Sequence, residues 1–307
     1  MTIAISIKIN DGLVLASDSA STLLGVMPNG QLSVLNVYNN ATKLFNLRKG
    51  FPIGAITWGS GSIGQSSIST IVKDLRQRFS GEDKKKADWE LSEDSYTVAE
   101  VAAQLKKYVF DELYTDVYKN LPQHQKPAIG FIVAGYSAKA AMADEFQIDI
   151  QNGDCTGPRS LRKQEESGAT WAGEVEALNR LIMGYATNLY PLLQAQLKVS
   201  PSQFSEAVSA VQPHTQIPLV LPAMPLQDAI DLAKFMVELT IRFSHHKPGP
   251  PTVGGPIEIA AISKHEGFRW VQRKYYFESK FNPREEHKRL EAPEKKGKDG
   301  KEEENKQ

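Results

Sequence analysis

Thr2 follows Met1, and its small side chain is of the kind that permits removal of an initiator methionine, so the mature chain is expected to begin with a threonine. Such a residue carries a hydroxyl and a free α-amine together. A terminal amine titrates at about pH 7.7–8.0, close enough to neutrality to take the proton of its own hydroxyl, directly or through water. One residue then supplies nucleophile and base. Residues 2–9 read Thr-Ile-Ala-Ile-Ser-Ile-Lys-Ile, with Ile3, Ile5, Ile7 and Ile9 alternating against small or polar residues. This is the period of a strand with one buried face, so the reactive terminus would stand on a sheet and not on a frayed tail.

Two charged residues could tune such a terminus. Asp18, in Ala16-Ser17-Asp18-Ser19, lies in a small, weakly polar stretch where a strand carboxylate needs a partner. Lys43, which opens Lys-Leu-Phe-Asn-Leu, is a candidate partner, although taken alone it also reads as a strand-edge lysine. A buried ammonium beside the terminal amine disfavours protonation of that amine, and the carboxylate keeps the ammonium charged and oriented. Whether Asp18 reaches Thr2 depends on the turn at Asn10-Asp11-Gly12. A three-residue loop with Gly12 left-handed pairs residues whose numbers sum to 22, placing Asp18 opposite Ala4 and diagonal to Thr2 on one face. A two-residue loop shifts the register by one and sends Asp18 to the other face.

Gly59-Ser60-Gly61-Ser62-Ile63-Gly64 has the spacing of a dinucleotide-binding turn. The acidic residue that should end a second strand about 20 positions on is missing, because the chain there runs from helix into Gly81-Glu82-Asp83-Lys84-Lys85-Lys86. A close-packed strand-to-helix turn with exposed backbone N–H groups is the better reading. His245-His246 lack a third nearby ligand and read as caps of helix carbonyls, so no metal site is expected. Trp171 reads as core. The single cysteine, Cys155, excludes an internal disulfide and a Cys-rich metal site and reads as a loop thiol.

The chain has 307 residues, enough for one large domain or two, with 41% hydrophobic and 23% charged residues, which excludes wholesale disorder. Its 36 basic residues balance 36 acidic ones, so nucleic acid is not an expected partner. No apolar run approaches the roughly 20 residues that span a bilayer, and the start lacks a charged signal region, so no membrane association and a cytoplasmic location are expected.

The elements that must position these residues follow from periodicity. The first 20 residues form a hairpin; residues 25–41 read as a long polar loop; Thr42 to Leu47 and Ile53 to Trp58 form a strand pair. Helices are expected at 63–79 and at 98–113 behind an N-cap at Thr97, separated by a charged insertion at about 81–95. Strands follow at 128–135 and 145–150, a short strand at 168–173 leads into a helix from 174 to about 196, and a Pro-rich bridge leads to a helix at 226–243. A hairpin of 256–263 and 268–273 ends a domain expected to span 1–286, and the tail 287–307, almost without apolar side chains, is expected to be disordered. This order lacks strict strand-helix alternation, so the fold class is α+β, two antiparallel sheets with helices outside.

Thr2-Ile-Ala-Ile-Ser-Ile-Lys-Ile-Asn-Asp-Gly-Leu-Val-Leu-Ala-Ser-Asp18, then Lys43-Leu-Phe-Asn-Leu, then Gly54-Ala-Ile-Thr-Trp-Gly59-Ser-Gly, resembles the proteasome β-subunit family and its bacterial relatives, the N-terminal-nucleophile hydrolases. The spacing from Thr2 to Asp18 matches that family without a gap. The likeness covers 2–64, is looser over Ala128 to Gly173, and returns at 226–243 with Gly254-Gly255-Pro-Ile-Glu-Ile-Ala. It implies a four-layer αββα sandwich and a threonine-type peptidase acting through an acyl-enzyme. Thr2 would be nucleophile and base, Lys43 and Asp18 the tuning pair, Gly59 N–H the oxyanion donor, and Thr57 and Gly61 the border of the substrate pocket. It further implies no metal or organic cofactor, a peptide or protein substrate, self-association into a ring or other homo-oligomer, and leaves an ATPase partner open. The chain departs from the family at Ala172-Gly173, where Ser-Gly is common, and at Pro250-Pro251-Thr252-Val253-Gly254-Gly255, where Asp-x-x-Ser-Gly-Gly is common. Ala172 and Thr252 therefore occupy the positions that would support the amine, with Thr252 the remaining hydroxyl. The loop between Asp18 and Lys43 is about ten residues longer than the family's. Two rival readings stay open: a small-molecule amidase on the same fold, and a non-catalytic shell or assembly subunit.

Overall fold

The computed structural model describes residues 2–26, 32–197 and 199–274. The chain separates into a unit of Met1–Lys274 and a second of Tyr275–Gln307, so the expected domain end at 286 and the charged tail lie outside the described residues. In the first unit, β1 (Ile3–Ile9), β2 (Gly12–Ser17), β12 (Gly168–Gly173), β13 (Glu258–Ser263) and β14 (Gly267–Gln272) form one five-stranded sheet in the order β12-β1-β2-β13-β14. A second has the order β11-β10-β9-β6-β5, from β5 (Leu44–Asn46), β6 (Ile53–Gly59), β9 (Ile129–Gly135), β10 (Asp144–Gln151) and β11 (Asp154–Ser160). Every pairing in both is antiparallel. Two small ribbons complete the strands: β3 (Ser21–Val26) with β4 (Leu32–Tyr38), and β7 (Ser62–Ile63) with β8 (Ser66–Ser67).

The helices are α1 (Ile68–Phe79), α2 (Val98–Lys106), α3 (Thr115–Val117), α4 (Glu176–Leu178), α5 (Leu189–Leu197), α6 (Pro201–Thr215) and α7 (Leu226–His246). Three apolar clusters show where they pack. Ile3, Ile5, Ile7 and Ile9 of β1 and Val14 and Ala16 of β2 meet Ala229, Ala233, Met236 and Val237 of α7. Ala4, Leu13 and Leu15, on the other faces of the same strands, meet Leu44, Ile56, Ile132 and Ala134 of the second sheet. That sheet's far face, with Ala55, Phe131 and Val133, receives Leu75 of α1 and Val101 and Leu105 of α2. Both faces of β1 and β2 are thus buried, at about 1.5–3 kcal/mol for each fully enclosed isoleucine or leucine.

α2 begins with a capping box in which Thr97 and Glu100 satisfy one another's backbone N–H groups, at the expected N-cap. It continues as π-helical turns over Lys107–Tyr114. The charged insertion at 81–95 contains a 3-10 turn, Lys84–Trp89, and sends Trp89 and Leu91 into the core beside Phe79. There Arg78 lies 4.0 Å from the Tyr108 ring centre and 5.1 Å from that of Trp89.

Four expectations are corrected. The described parts of 25–41 are mostly strand, the end of β3 and the whole of β4, and not a loop. The helix expected from 174 to 196 is broken after the turn Asn179–Met183 by Gly184 in the left-handed region (φ 83°), which ends the first piece before α5 starts. The bridge that follows contains α6, which tolerates Pro201 in its first turn and Pro213 in its last and starts at a Ser200–Gln203 capping box. Finally, the first hairpin has a two-residue loop: Ile9 faces Gly12 and Ala4 faces Ser17, a register of 21. Gly12 is not left-handed. Its place in the hairpin is fixed instead by β13, since a Cβ there would lie 2.5 Å from the Ile262 carbonyl oxygen.

Gly12→Ala is expected to push β2 from β13 and lower stability by about 1–3 kcal/mol in urea unfolding, because the obstacle is backbone. An unchanged midpoint would mean that the two strands separate freely.

Candidate active site

Thr2 stands immediately ahead of β1 and is buried. Its carbonyl accepts the Glu174 N–H at 2.7 Å, just beyond the end of β12. Gly173, at φ 95°, makes that contact: any Cβ there would overlap the Thr2 carbonyl oxygen. Thr2 is thus seated by two strands of one sheet.

Asp18 reaches the head of β1 in spite of the two-residue hairpin. Side-chain alternation would send it to the other face, but β2 ends at Ser17 and the chain leaves strand geometry, so alternation no longer governs its direction. Its carboxylate is fully buried and completely partnered. Oδ1 accepts from Ile3 N–H (3.1 Å) and Lys43 Nζ (2.6 Å), and Oδ2 from Ala20 N–H (3.1 Å) and Gly254 N–H (3.0 Å). Lys43, just ahead of β5, is itself buried, and its carbonyl accepts the Thr57 N–H from β6 at 2.9 Å. Burial pushes the Lys43 amino group below the usual lysine range, while the Asp18 carboxylate pulls it back up.

Thr2 and Lys43 open on a cleft of about 840 Å³, whose lining includes Thr57, Gly59, Gly61 and Thr252. The Thr57 hydroxyl donates to the Gly130 carbonyl at 2.9 Å across β6 and β9, so it is spent on the wall. Gly59 is the last residue of β6, and the Gly61 carbonyl accepts the Ile68 N–H at the start of α1. The glycine run does not open directly into that helix: the β7–β8 ribbon intervenes, and Ser67 caps α1 through Thr70 N–H. Ala172, in contrast, pairs with Ala4 and is not part of the cleft lining. Lys43 is the only charged side chain in the lining among the described residues, and Asp18 neutralises it. Two smaller pockets, about 230 and 340 Å³, are lined without any acid, base or cysteine.

Sequence reasoning missed two features. The β3–β4 ribbon forms one wall through Ser21, Thr22, Leu23, Val34 and Tyr38. Behind the cleft, a second buried ion pair joins Lys274 Nζ to Glu258 Oε2 at 2.6 Å. Glu258 within the apolar run Ile257-Glu258-Ile259-Ala260 was its signal, since a carboxylate there needs a buried partner. A third polar group joins Ser6, Glu145 and Arg162 between the sheets, away from the cleft lining. Burial pushes the Cys155 thiol up to about 11, which makes it a poor nucleophile. Among the described residues, no cluster of three or more His, Cys, Asp or Glu side chains could hold a metal, and no helix is long and apolar enough to cross a membrane.

No profile of a known protein family matches the chain, and no curated protein matches its sequence. Solved structures do. A Gly-1 mutant of Anbu from Hyphomicrobium sp. strain MC1 is 13% identical with a TM-score of 0.50, over 90% of this chain and 89% of that one. Anbu (ancestral beta-subunit) from Yersinia bercovieri is 14% identical with a TM-score of 0.47, over 89% and 88% of the two chains. The Anbu complex from Pseudomonas aeruginosa, solved as a helical assembly, is 14% identical with a TM-score of 0.46, over 89% and 88%. At these identities the Hyphomicrobium protein supports a likeness of fold alone: a mixed α/β architecture of antiparallel sheets and helices.

Asp18→Ala strands a buried ammonium and three backbone N–H groups, and is expected to cost about 3–5 kcal/mol in urea unfolding. Adding Lys43→Met should recover part of that loss, because the second charge is then also removed. No recovery would mean that the backbone bonds, and not the ion pair, carry Asp18's contribution.

Proposed function

We propose that this chain is a proteasome-like, threonine-type N-terminal-nucleophile hydrolase on a four-layer αββα sandwich. The observation that carries this reading is the seating of Thr2 at the head of β1 in the cleft of about 840 Å³, beside the buried Lys43–Asp18 pair. The helix-sheet, sheet-sheet and sheet-helix apolar clusters support the layering.

After removal of Met1, the α-amine of Thr2 takes the proton from Oγ1 as that oxygen attacks a substrate carbonyl carbon. The Gly59 N–H stabilises the developing oxyanion. Collapse breaks the C–N bond, the leaving amine receives the proton, and an ester on Thr2 remains. Water, deprotonated by the same amine, hydrolyses that ester and regenerates the hydroxyl. Lys43, kept next to its counter-ion, disfavours a charged amine at rest and so keeps the base available. Thr57 and Gly61 border the substrate side chain, Thr252 is the supporting hydroxyl, and Ala172 offers no polar side-chain atom. These steps use no metal or organic cofactor. The protein acts in the cytoplasm on peptide or protein substrates as a ring or other homo-oligomer, and nucleic acid and membrane play no part.

Apart from Lys43, which Asp18 neutralises, the cleft walls carry no charged side chain among the described residues and favour neutral substrate side chains, because an acidic or basic one would be desolvated without a counter-charge. Intact-mass measurement is expected to find the chain without Met1. Turnover of neutral fluorogenic peptides should exceed that of acidic or basic ones, and Thr2→Ala should reduce it to background without changing the melting temperature. Equal turnover by Thr2→Ala removes the nucleophile assignment. A retained Met1 with no turnover favours the shell-subunit reading, and turnover of acyl-amides alone favours the small-molecule amidase.

A further inference from the structure

We propose that Lys274 and Glu258 are positioning residues that hold the Asp18–Lys43 couple in register with Thr2, an inference that rests on the hydrolase reading. The Lys274 ammonium has three acceptors: Glu258 Oε2 at 2.6 Å, Ser19 Oγ at 2.7 Å and the Ala41 carbonyl at 2.7 Å. Ser19 is next to Asp18, and Ala41 is two residues before Lys43. The same segments are tied to one another, Ala41 N–H to the Ser19 carbonyl and Ser19 N–H to the Gly254 carbonyl, both at 2.9 Å. Gly254 in turn donates to Asp18. One ammonium therefore gathers the chain just after Asp18 and just before Lys43, while Glu258, opposite Ser17 on the neighbouring strand, fixes that ammonium to the sheet.

Two considerations make this a positioning device and not a source of stability. A buried ion pair is commonly no better for stability than apolar residues of the same volume, so its distinctive contribution is directional geometry. Neither residue lines the cleft, so any effect on reactivity must pass through Asp18 and Lys43. The charges also alternate: Lys43 is faced by Asp18, Lys274 and Glu258, and Lys274 by Glu258, Asp18 and Arg273. Lys274 opposes protonation of Lys43 and Glu258 favours it, so the pair is neutral toward the site only when both members are charged.

The experiment uses full-length chain. In Lys274→Met/Glu258→Leu both charges give way to apolar side chains, which avoids leaving one buried charge unpaired. This variant is expected to melt near the parent but to lose about tenfold or more in kcat on neutral peptides with KM little changed, since the misplaced couple acts on chemistry and not on binding. In Glu258→Gln the uncompensated Lys274 should move the acid limb of the kcat/KM profile down by roughly half a pH unit or more. It should also lower the titration of Lys43, followed by NMR of isotopically labelled lysine and assigned with Lys43→Met. Parental kcat and pH profile in both variants, with Lys43 titrating as in the parent, would overturn the proposal and leave the pair a structural contact. If the parent itself lacks turnover, or Thr2→Ala equals it, the hydrolase reading falls. The Lys43 titration then decides this inference alone, a shift in Glu258→Gln sustaining it and none rejecting it.

Discussion

A carboxylate with no access to water must have every lone pair answered, and Asp18 has four answers from four separate parts of the chain. Ile3 belongs to the first strand, Ala20 to the segment leaving the second, Gly254 to the approach to the thirteenth, and Lys43 to the approach to the fifth. The cost of leaving any of these donors or the charge itself unmatched, several kcal/mol in a buried site, makes their mutual placement nearly obligatory. The cleft depends on this junction. It brings an edge of the second sheet, through Lys43 and the Thr57 amide bound to its carbonyl, against the head of the first.

The surrounding fold supplies rigidity at that point. β1 and β2 are enclosed on one face by α7 and on the other by the second sheet, so the head of β1 cannot fray as chain termini usually do. Glu174 and Gly173 hold the Thr2 carbonyl from the opposite side. The wall of the cleft is by comparison a two-stranded ribbon, β3–β4, that carries exposed Leu23, Leu35 and Tyr38. On the proposed reading, the fixed corner carries the chemistry and the projecting wall meets the substrate.

Much of this was legible from local pattern. The isoleucine alternation of β1, the Thr97 cap and the amphipathic stripe of α7 each follow from a period that a short window contains. Asp18 is more instructive. Its carboxylate meets the Ile3 N–H, one residue after Thr2, but the assumed three-residue turn is absent; the carboxylate arrives because the strand stops at Ser17, and the point where a strand stops is set by tertiary contacts. The β3–β4 ribbon escaped because Gly25, Asn36, Asn39 and Asn40 punctuate the stretch as a loop would, although Val34, Val37 and Tyr38 favour a strand, and α6 because two prolines masked helical spacing that its termini tolerate. The Lys274–Glu258 pair joins residues whose proximity depends on the pairing of the last two strands, and only Glu258, isolated among apolar neighbours, announced it.

The enclosure of Thr2 has a consequence for the order of events in the life of the chain. An aminopeptidase grips the backbone on both sides of the bond it cuts, yet here the carbonyl just past the Met1–Thr2 junction is already engaged by Glu174 and walled in by Gly173. On the proposed reading, removal of Met1 therefore belongs to the nascent stage, before the strand from residue 168 docks on the Thr2 carbonyl.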